Sequence, residues 1–426
     1  MSGIKVSPAK ISGAASPPPS KSAAHRALIC AALAGGGSVR GVIDSDDMRA
    51  TLGAVGSLGV RAAYDGCAVK MEKAAVPKVR PVIDCLESGS TLRFMIPVFA
   101  ALGIECTFTG RGRLPQRPLG VYGDCLPKHG VNLINDTGGN AGLPLTISGR
   151  LEAGRYDLPG NVSSQFISGL LFALPLCEGP SEIVLNTSLE SAAYIDMTID
   201  ALNCAGVMVH RTPDGWRIPG GQSYRPFDYE AEGDWSQAAF LLAMGALGGE
   251  ITINGVDLGS RQGDIAALEL MRRFGADISV SDDGILCRKS GLKGIDIDAE
   301  QIPDLVPVLA VAGALAEGVT TIRGASRLRL KESDRLAAVH HCLSLLGAKI
   351  GQTEDGLRIE GVRRLKGGVS LPSFRDHRIV MSMAVAALCC KKPVIIEDYE
   401  SVNKSWPEFF GVYRKCGGEA DVIQHR

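Results

Sequence analysis

One pattern recurs six times along the chain and constrains its fold more than any other feature. A polar turn opens an apolar stretch of helical length. A short β-rich run follows, and a second polar turn leads into a second helix ending near Gly. The copies repeat roughly every 70 residues, which marks one supersecondary unit duplicated along the chain. The first halves are PPPSKSAAHRALICAALAGG from Pro17, LESGSTLRFMIPVFAALG from Leu86, PGNVSSQFISGLLFALPL from Pro159, GDWSQAAFLLAMGAL from Gly233, QIPDLVPVLAVAGALAEG from Gln301 and SFRDHRIVMSMAVAAL from Ser373. Each is expected to put Ser, Asp or Gly at the helix N-cap. Second halves such as GPSEIVLNTSLESAAYIDMTIDALNCAGV, from Gly179, open with an alternating strand and pass into an amphipathic helix. The Asp-Gly pairs in TPDGWRI and TEDGLRI predict hairpins.

Strand and helix alternate in many α/β chains, but here the first helices are almost uncharged beyond their first turn. That composition predicts helices buried on all sides. Neither GxGxxG nor GxxxxGK[ST] occurs, which excludes the common nucleotide-binding loops. Six units divide most simply into three and three, with a boundary near Arg225–Glu232. The expected domains are 18–230, and 1–17 with 231–426, the strand Ile4–Ile11 pairing with the C-terminal half. With a net charge of −1, no global field recruits nucleic acid or a membrane. The twelve Cys show no CxxC or zinc spacing, so reduced buried thiols in a cytoplasmic protein, with no metal, are expected. The longest uncharged apolar run, Leu305 to Ala316, is too short to span a bilayer.

The polar clusters fall at the helix starts. Lys21, Ser22 and Arg26 occupy the first turns after Ser20, where cations oppose the helix dipole unless an anion compensates. Gly89, Ser90 and Arg93 open the second helix; Gly permits close backbone approach, and a buried Arg93 is expected to need an anionic partner. Ser163, Ser164 and Gln165 offer uncharged hydrogen-bonding groups. Asp304, after Pro303, is expected to cap its helix, or to accept a proton if it faces a ligand. Lys331 and Arg335 are read as sharing a helix face, with Glu332 between them in sequence. Asp376, His377 and Arg378 form the sixth start, and Arg117 and Lys404 occupy second-half turns. So many cations at equivalent turns of a neutral chain point to a receptor for phosphorylated ligands.

The pieces SKSAAHRAL, GSTLR, QRPLG, VSSQF, IPD, KESDRL and DHR, in that order, resemble the enolpyruvyl transferases, and among them the branch acting on shikimate 3-phosphate. The resemblance covers essentially the whole chain. It implies a two-domain inside-out α/β barrel of six βαβαββ repeats, three per domain, with helix N-termini directed at an interdomain cleft that closes on its ligands. It implies transfer of the enolpyruvyl group of phosphoenolpyruvate to the 5-hydroxyl of shikimate 3-phosphate through a tetrahedral intermediate, releasing phosphate, in a cytoplasmic monomer without cofactor that is a target of glyphosate. Lys21, Ser22, Arg26, Ser163, Ser164, Gln165, Ser191, Tyr194, Asp304 and Lys331 match the acceptor contacts. Lys21, Gly89, Arg117, Gln165, Arg335, Arg378 and Lys404 match the donor contacts. Asp304 resembles the group that deprotonates the attacking hydroxyl and Glu332 the one that protonates the methylene carbon, Lys21 and His377 assisting. Three positions depart from the usual pattern: Glu87 stands where many members carry Asn, Arg327 replaces a polar amide residue, and Ser90 replaces Thr. The alternatives are the UDP-N-acetylglucosamine branch, whose usual loop Cys is missing from GRGRLPQRPLG, and a non-catalytic phosphometabolite-binding protein.

Overall fold

The computed structural model describes residues 2–75, 80–135 and 142–424. The chain divides into two compact units, Pro19–Ala231 and Met1–Pro18 with Glu232–Arg426.

The 19–231 unit carries α1 (Lys21–Ala34), α2 (Asp46–Gly56), α3 (Gly89–Ala101), α4 (Gly120–Cys125), α5 (Ser164–Ala173) and α6 (Ala192–Cys204). Three four-stranded sheets surround them. One runs Arg155–Leu158, Ser181–Leu185, Gly215–Ile218, His210–Thr212. Its first two strands are parallel, joined through α5 in register Arg155↔Glu182, and the rest is an antiparallel hairpin. A second runs Val82–Asp84, Cys106–Thr109, Leu145–Gly149, Val131–Asn135 on the same plan. The third takes its first strand from the far end of the unit: Phe227–Glu230 lies parallel to Gly36–Arg40. Sequence distance is thereby exchanged for closure, since no edge strand precedes α1 in this unit.

The other unit repeats the plan with α7 (Trp235–Gly248), α8 (Ala266–Arg273), α9 (Val306–Leu315), α10 (Arg335–Leu345), α11 (His377–Ala387) and α12 (Phe409–Lys415). The single N-terminal strand expected over Ile4–Ile11 is two strands serving two sheets. Ser2–Ser7 lies between Val394–Glu397 and Glu419–Gln424, antiparallel to both, and Ile11–Ala15 pairs in parallel with Gly249–Ile253. Pro8, which has no N–H for a ladder, stands at the break. The hairpins at the two Asp-Gly turns form as expected.

Odd-numbered helices are the cores. Every residue of α7 is buried, as are nine of the ten in α9. Close approach has local causes. A Cβ on Gly169 of α5 would lie 2.2 Å from the Tyr122 hydroxyl and 2.4 Å from the Arg93 carbonyl, so α3 and α5 meet only through Gly. Pro97, inside α3, cannot donate to the carbonyl four residues back, Arg93. The Tyr122 hydroxyl donates to that carbonyl instead, at 2.6 Å. This repair leaves α3 continuous and fixes the turn that carries Arg93.

Candidate active site

The first-half helices begin almost as the repeat predicts. Ser20, Ser88, Ser163, Asp234 and Asp376 each cap a helix through a side-chain oxygen. The exception is the fifth start. Ile302 precedes Pro303 there and no side chain caps the turn. Asp304, expected to cap, turns its carboxylate to cations.

In the 19–231 unit polar side chains tie the start of α1 to α2 and the start of α3 to that of α5. Lys21 Nζ donates to Asp47 Oδ2 at 2.6 Å. Gln165 donates from Nε2 to Ser90 Oγ at 2.8 Å and accepts from Arg93 Nη1 at 2.7 Å. Arg93 also donates to the Pro118 carbonyl at 3.1 Å and lies over the Phe166 ring at 4.8 Å. These contacts engage Arg93 through amide and carbonyl dipoles and a ring face. Gly89 opens α3 directly against Arg117; a Cβ there would fall 2.5 Å from Nη1 and 2.7 Å from Cζ. Arg117 is itself buried.

Arg26 is buried and largely engaged within the unit. Nε donates to Thr198 Oγ1 at 2.8 Å, Nη2 to the Tyr194 carbonyl at 2.9 Å and Nη1 to the Ser22 carbonyl at 2.7 Å. The guanidinium packs on the rings of Phe94 and Tyr194. Burial pulls its pKa down to about 10, leaving it fully charged at neutral pH. It therefore clamps α1 to α6 and fixes Ser22 and Tyr194. Ser191, the α6 N-cap, sits in the left-handed region at φ 55° without a side-chain cap bond.

In the other unit the charges form one cluster around Arg335. Its Nε donates to Asp376 Oδ2 at 2.9 Å, Nη1 to Asp304 Oδ1 at 2.8 Å and Nη2 to Glu332 Oε2 at 2.7 Å. Burial opposes the charge, but these three carboxylates outweigh it and hold Arg335 above its usual pKa. Arg378 Nη2 reaches Asp304 Oδ2 and Ser236 Oγ, both at 2.9 Å. Asp304 is thus gripped from two sides, with Lys331 Nζ 3.7 Å away. Burial would raise its pKa; Arg378, Lys331 and Arg335 overcome that and keep it well below the carboxylate range. Burial also lowers Lys331 to about 8, against the pull of Asp304. Lys331 and Arg335 do not share a helix face. Asp334 caps α10, which begins at Arg335, so Lys331 precedes the helix and the two cations meet over Asp304 instead.

His377 opens α11, buried, with Nδ1 3.8 Å from Asp376 Oδ1. Lys404 is buried at the end of the turn Tyr399–Lys404, and its neighbour Ser405 accepts from Gln237 Nε2 at 3.3 Å. Glu87 lies beside Gly112, where an added Cβ would meet its carboxylate at 2.6 Å. Arg327 is buried and donates to the Glu300 carbonyl. Five backbone outliers sit beside these groups: Leu86 at φ 51°, Ser191 at 55°, Phe374 and Arg375, both at 54°, immediately before Asp376, and Asp398 at 45°, opening the turn that ends at Lys404. Non-glycine residues in the left-handed region store strain, which collects at functional sites.

Sequence reasoning missed Asp47 and Ser236, and left Asp376 out of the site. Asp47 begins a second-half helix, outside the starts inspected, and Ser236 reads as an ordinary first-turn residue. Asp376 was visible in the DHR piece; its roles as cap and Arg335 partner appear only in three dimensions.

Two repeat-built units, with charged and polar groups gathered at their core-helix starts, have the α/β fold of the enolpyruvyl transferases. The solved EPSP synthase of Acinetobacter baumannii superposes with a TM-score of 0.84 at 27% identity, covering 100% of both chains. The enolpyruvyl transferase NikO of Streptomyces tendae shares the fold, with a TM-score of 0.81 at 17% identity and coverage of 100% of this chain and 99% of that one. The family model described as EPSP synthase (3-phosphoshikimate 1-carboxyvinyltransferase) matches residues 6–413, and the chain belongs to that family. Curated 3-phosphoshikimate 1-carboxyvinyltransferases of Clostridium beijerinckii and Clostridium kluyveri are each 44% identical to it, over 99% and 98% of both chains respectively.

Proposed function

We propose that this chain transfers the enolpyruvyl group of phosphoenolpyruvate to the 5-hydroxyl of shikimate 3-phosphate, releasing phosphate, on the route to chorismate and the aromatic amino acids. The observation that carries the reading is the Asp304–Arg335–Arg378 cluster, with Glu332 on the same guanidinium. It places two carboxylates suited to proton transfer among cations suited to a carboxylate and a phosphate.

Glu332 delivers a proton to the donor methylene, C3, and positive charge develops at C2. The acceptor oxygen bonds to C2 while Asp304 takes the hydroxyl proton, giving a tetrahedral phosphate ketal. Loss of a C3 proton and cleavage of the C2–O bond to phosphate complete the exchange. Arg335, Arg378, Arg117, Lys404, Lys21, Gln165 and the Gly89 turn hold the donor. Ser22, Ser163, Ser164, Gln165, Ser191, Tyr194 and Lys331 hold the acceptor, with Arg26 fixing Ser22 and Tyr194. Three of Arg26's five N–H donors are engaged, which leaves two for the acceptor phosphate. His377 and Lys21 assist the movement of protons and of phosphate.

The low basicity of Asp304 follows from Arg378, Lys331 and Arg335, whose charges outweigh its burial. The donor's anionic groups compete for the same guanidiniums. Their binding releases Asp304, raises its proton affinity and makes it a base only when donor is present. The reading takes the working protein as a cytoplasmic monomer. All twelve cysteines are free, and no helix among the described residues is long and apolar enough to cross a membrane.

The test is phosphate release with phosphoenolpyruvate and either shikimate 3-phosphate or UDP-N-acetylglucosamine. Turnover with the first acceptor alone is expected. Turnover with the second assigns the other branch, and binding of both ligands without phosphate release assigns a non-catalytic protein.

A further inference from the structure

Between α1, α2 and α3 runs a line of buried polar side chains that the reaction does not use. His25 Nδ1 lies 2.7 Å from Thr51 Oγ1, and Thr51 Oγ1 lies 2.7 Å from Thr91 Oγ1. Thr91 Oγ1 donates to Ser88 Oγ at 2.8 Å, and Ser88 Oγ also accepts the Thr91 amide as the α3 cap. His25 is 1% exposed and Thr51, Thr91 and Ser88 are fully buried.

The line has a direction. A hydroxyl has one proton to give. Thr91 spends its proton on Ser88, so the Thr51 hydroxyl must donate to Thr91. Thr51 then has no proton left for His25, and the His25 ring must donate from Nδ1. The ring is therefore the Nδ1–H tautomer with a bare Nε2, and Nε2 is buried without a partner among the described residues. Burial keeps the imidazole neutral, lowering its pKa to about 3.

We propose that His25, Thr51 and Thr91 are positioning residues for the donor-binding turn at Gly89: their one-way hydrogen-bond chain sets the first turn of α3 against α1. Apolar packing would bury the same helices but leave them free to slide by fractions of an ångström. Hydrogen bonds of 2.7–2.8 Å fix the axial position. One turn toward the start of α1, the Lys21–Asp47 pair joins α1 to the same α2. Helix α2 thus acts as a spacer that holds Lys21 and the Gly89 turn at a fixed separation, although it contributes no residue to the expected ligand contacts. The inference rests on the proposed function for the identity of the donor.

The experiment combines steady-state kinetics with nitrogen-15 NMR of the histidines. His25→Leu, Thr51→Val and Thr91→Val are each expected to raise KM for phosphoenolpyruvate about three- to tenfold, with kcat within twofold, as for a lost hydrogen bond of about 1 kcal/mol. His25→Asn, whose Nδ2 can stand near the place of the ring Nδ1, is expected to recover wild-type KM; His25→Gln is not. The wild-type His25 should show a protonated Nδ1 and a bare Nε2, unchanged from pH 5 to 8. A protonated Nε2, an unaltered donor KM in all three variants, or His25→Asn as impaired as His25→Leu overturns the proposal. Should the variants not fold, the wild-type NMR spectrum still decides the direction of the hydrogen-bond line. Absence of turnover in the wild type would remove the functional reading, while the NMR spectrum would still test the tautomer independently of it.

Discussion

The Gly89–Arg117 contact supports a prediction that can be worked from distances. In Gly89→Ala the new methyl would lie 2.5 Å from Arg117 Nη1, 2.7 Å from Cζ and 2.9 Å from Nη2. Ordinary contacts of this kind are about 3.5–4.0 Å, so the guanidinium must retreat by about 1 Å. The backbone of α3 cannot yield instead, because Ser88 caps it and Tyr122 holds it one turn on. A charge-assisted hydrogen bond to the donor, worth about 1.5–3 kcal/mol, is then lost or badly bent. KM for phosphoenolpyruvate should rise about 10- to 100-fold. KM for shikimate 3-phosphate should change less than about threefold, with the fold and melting temperature kept. A double-mutant cycle checks the cause: in an Arg117→Ala background, Gly89→Ala should add almost nothing. Steady-state phosphate release over both substrates measures all four corners. Additive effects, or a donor KM within twofold of wild type in Gly89→Ala, would refute the reasoning.

Asp304→Asn and Glu332→Gln should each lower kcat about 10²- to 10⁴-fold while substrate binding, followed by fluorescence or calorimetry, persists. Lys331, lowered to about 8 by burial, should lose its charge as pH rises through 8, so affinity for shikimate 3-phosphate should fall above that pH. Its folded pKa lies below the unfolded value of 10.5, so its effect on stability runs the other way, with stability rising between pH 8 and 10.5; calorimetric titration and chemical denaturation separate the two. His25, lowered from 6.5 to about 3 chiefly by burial, with Lys21 and Arg26 adding to the fall and Asp47 opposing it, binds a proton in the unfolded chain but not in the folded one between those values. Stability should therefore drop as pH falls below about 6.5, by up to about 1.4 kcal/mol per pH unit, and His25→Asn should flatten that slope. Tyr122→Phe leaves the Arg93 carbonyl opposite Pro97 without its donor and should cost about 1–3 kcal/mol, read as a lower melting temperature.

The repeat was legible because burial on all sides strips a helix of charge, and because caps are local. Ser20, Ser88 and Ser163 each stand where a helix must satisfy its first amides, and each does so. The fifth start was misread for the same reason: Pro303 and a carboxylate resemble a cap in one dimension, but the carboxylate finds two arginines from other helices. Arg93 shows a second limit. Burial of an arginine is visible in an apolar helix; whether a neighbour supplies a charge or a dipole is not. The split of the N-terminal strand was signalled by Pro8, but the two destinations of its halves depend on pairings hundreds of residues away.

Both units solve one electrostatic problem in the same way. Cations preorganised for the two proposed phosphorylated substrates would repel one another and strain the empty fold. Each unit instead supplies carboxylates: Asp47 takes Lys21, and Asp304 takes Arg335 and Arg378. These internal anions hold the cations in place. The cost is competition, since a ligand must displace a carboxylate to reach its cation. Affinity is thereby moderated, and in the case of Asp304 the displaced group is the proposed base itself. If that exchange operates, Asp304→Asn should tighten donor binding even as it removes turnover, because the arginines no longer have a full charge to surrender. A donor Kd that rises in Asp304→Asn would mean that Asp304 organises the arginines rather than occupying them, and the stand-in argument would fail for this unit.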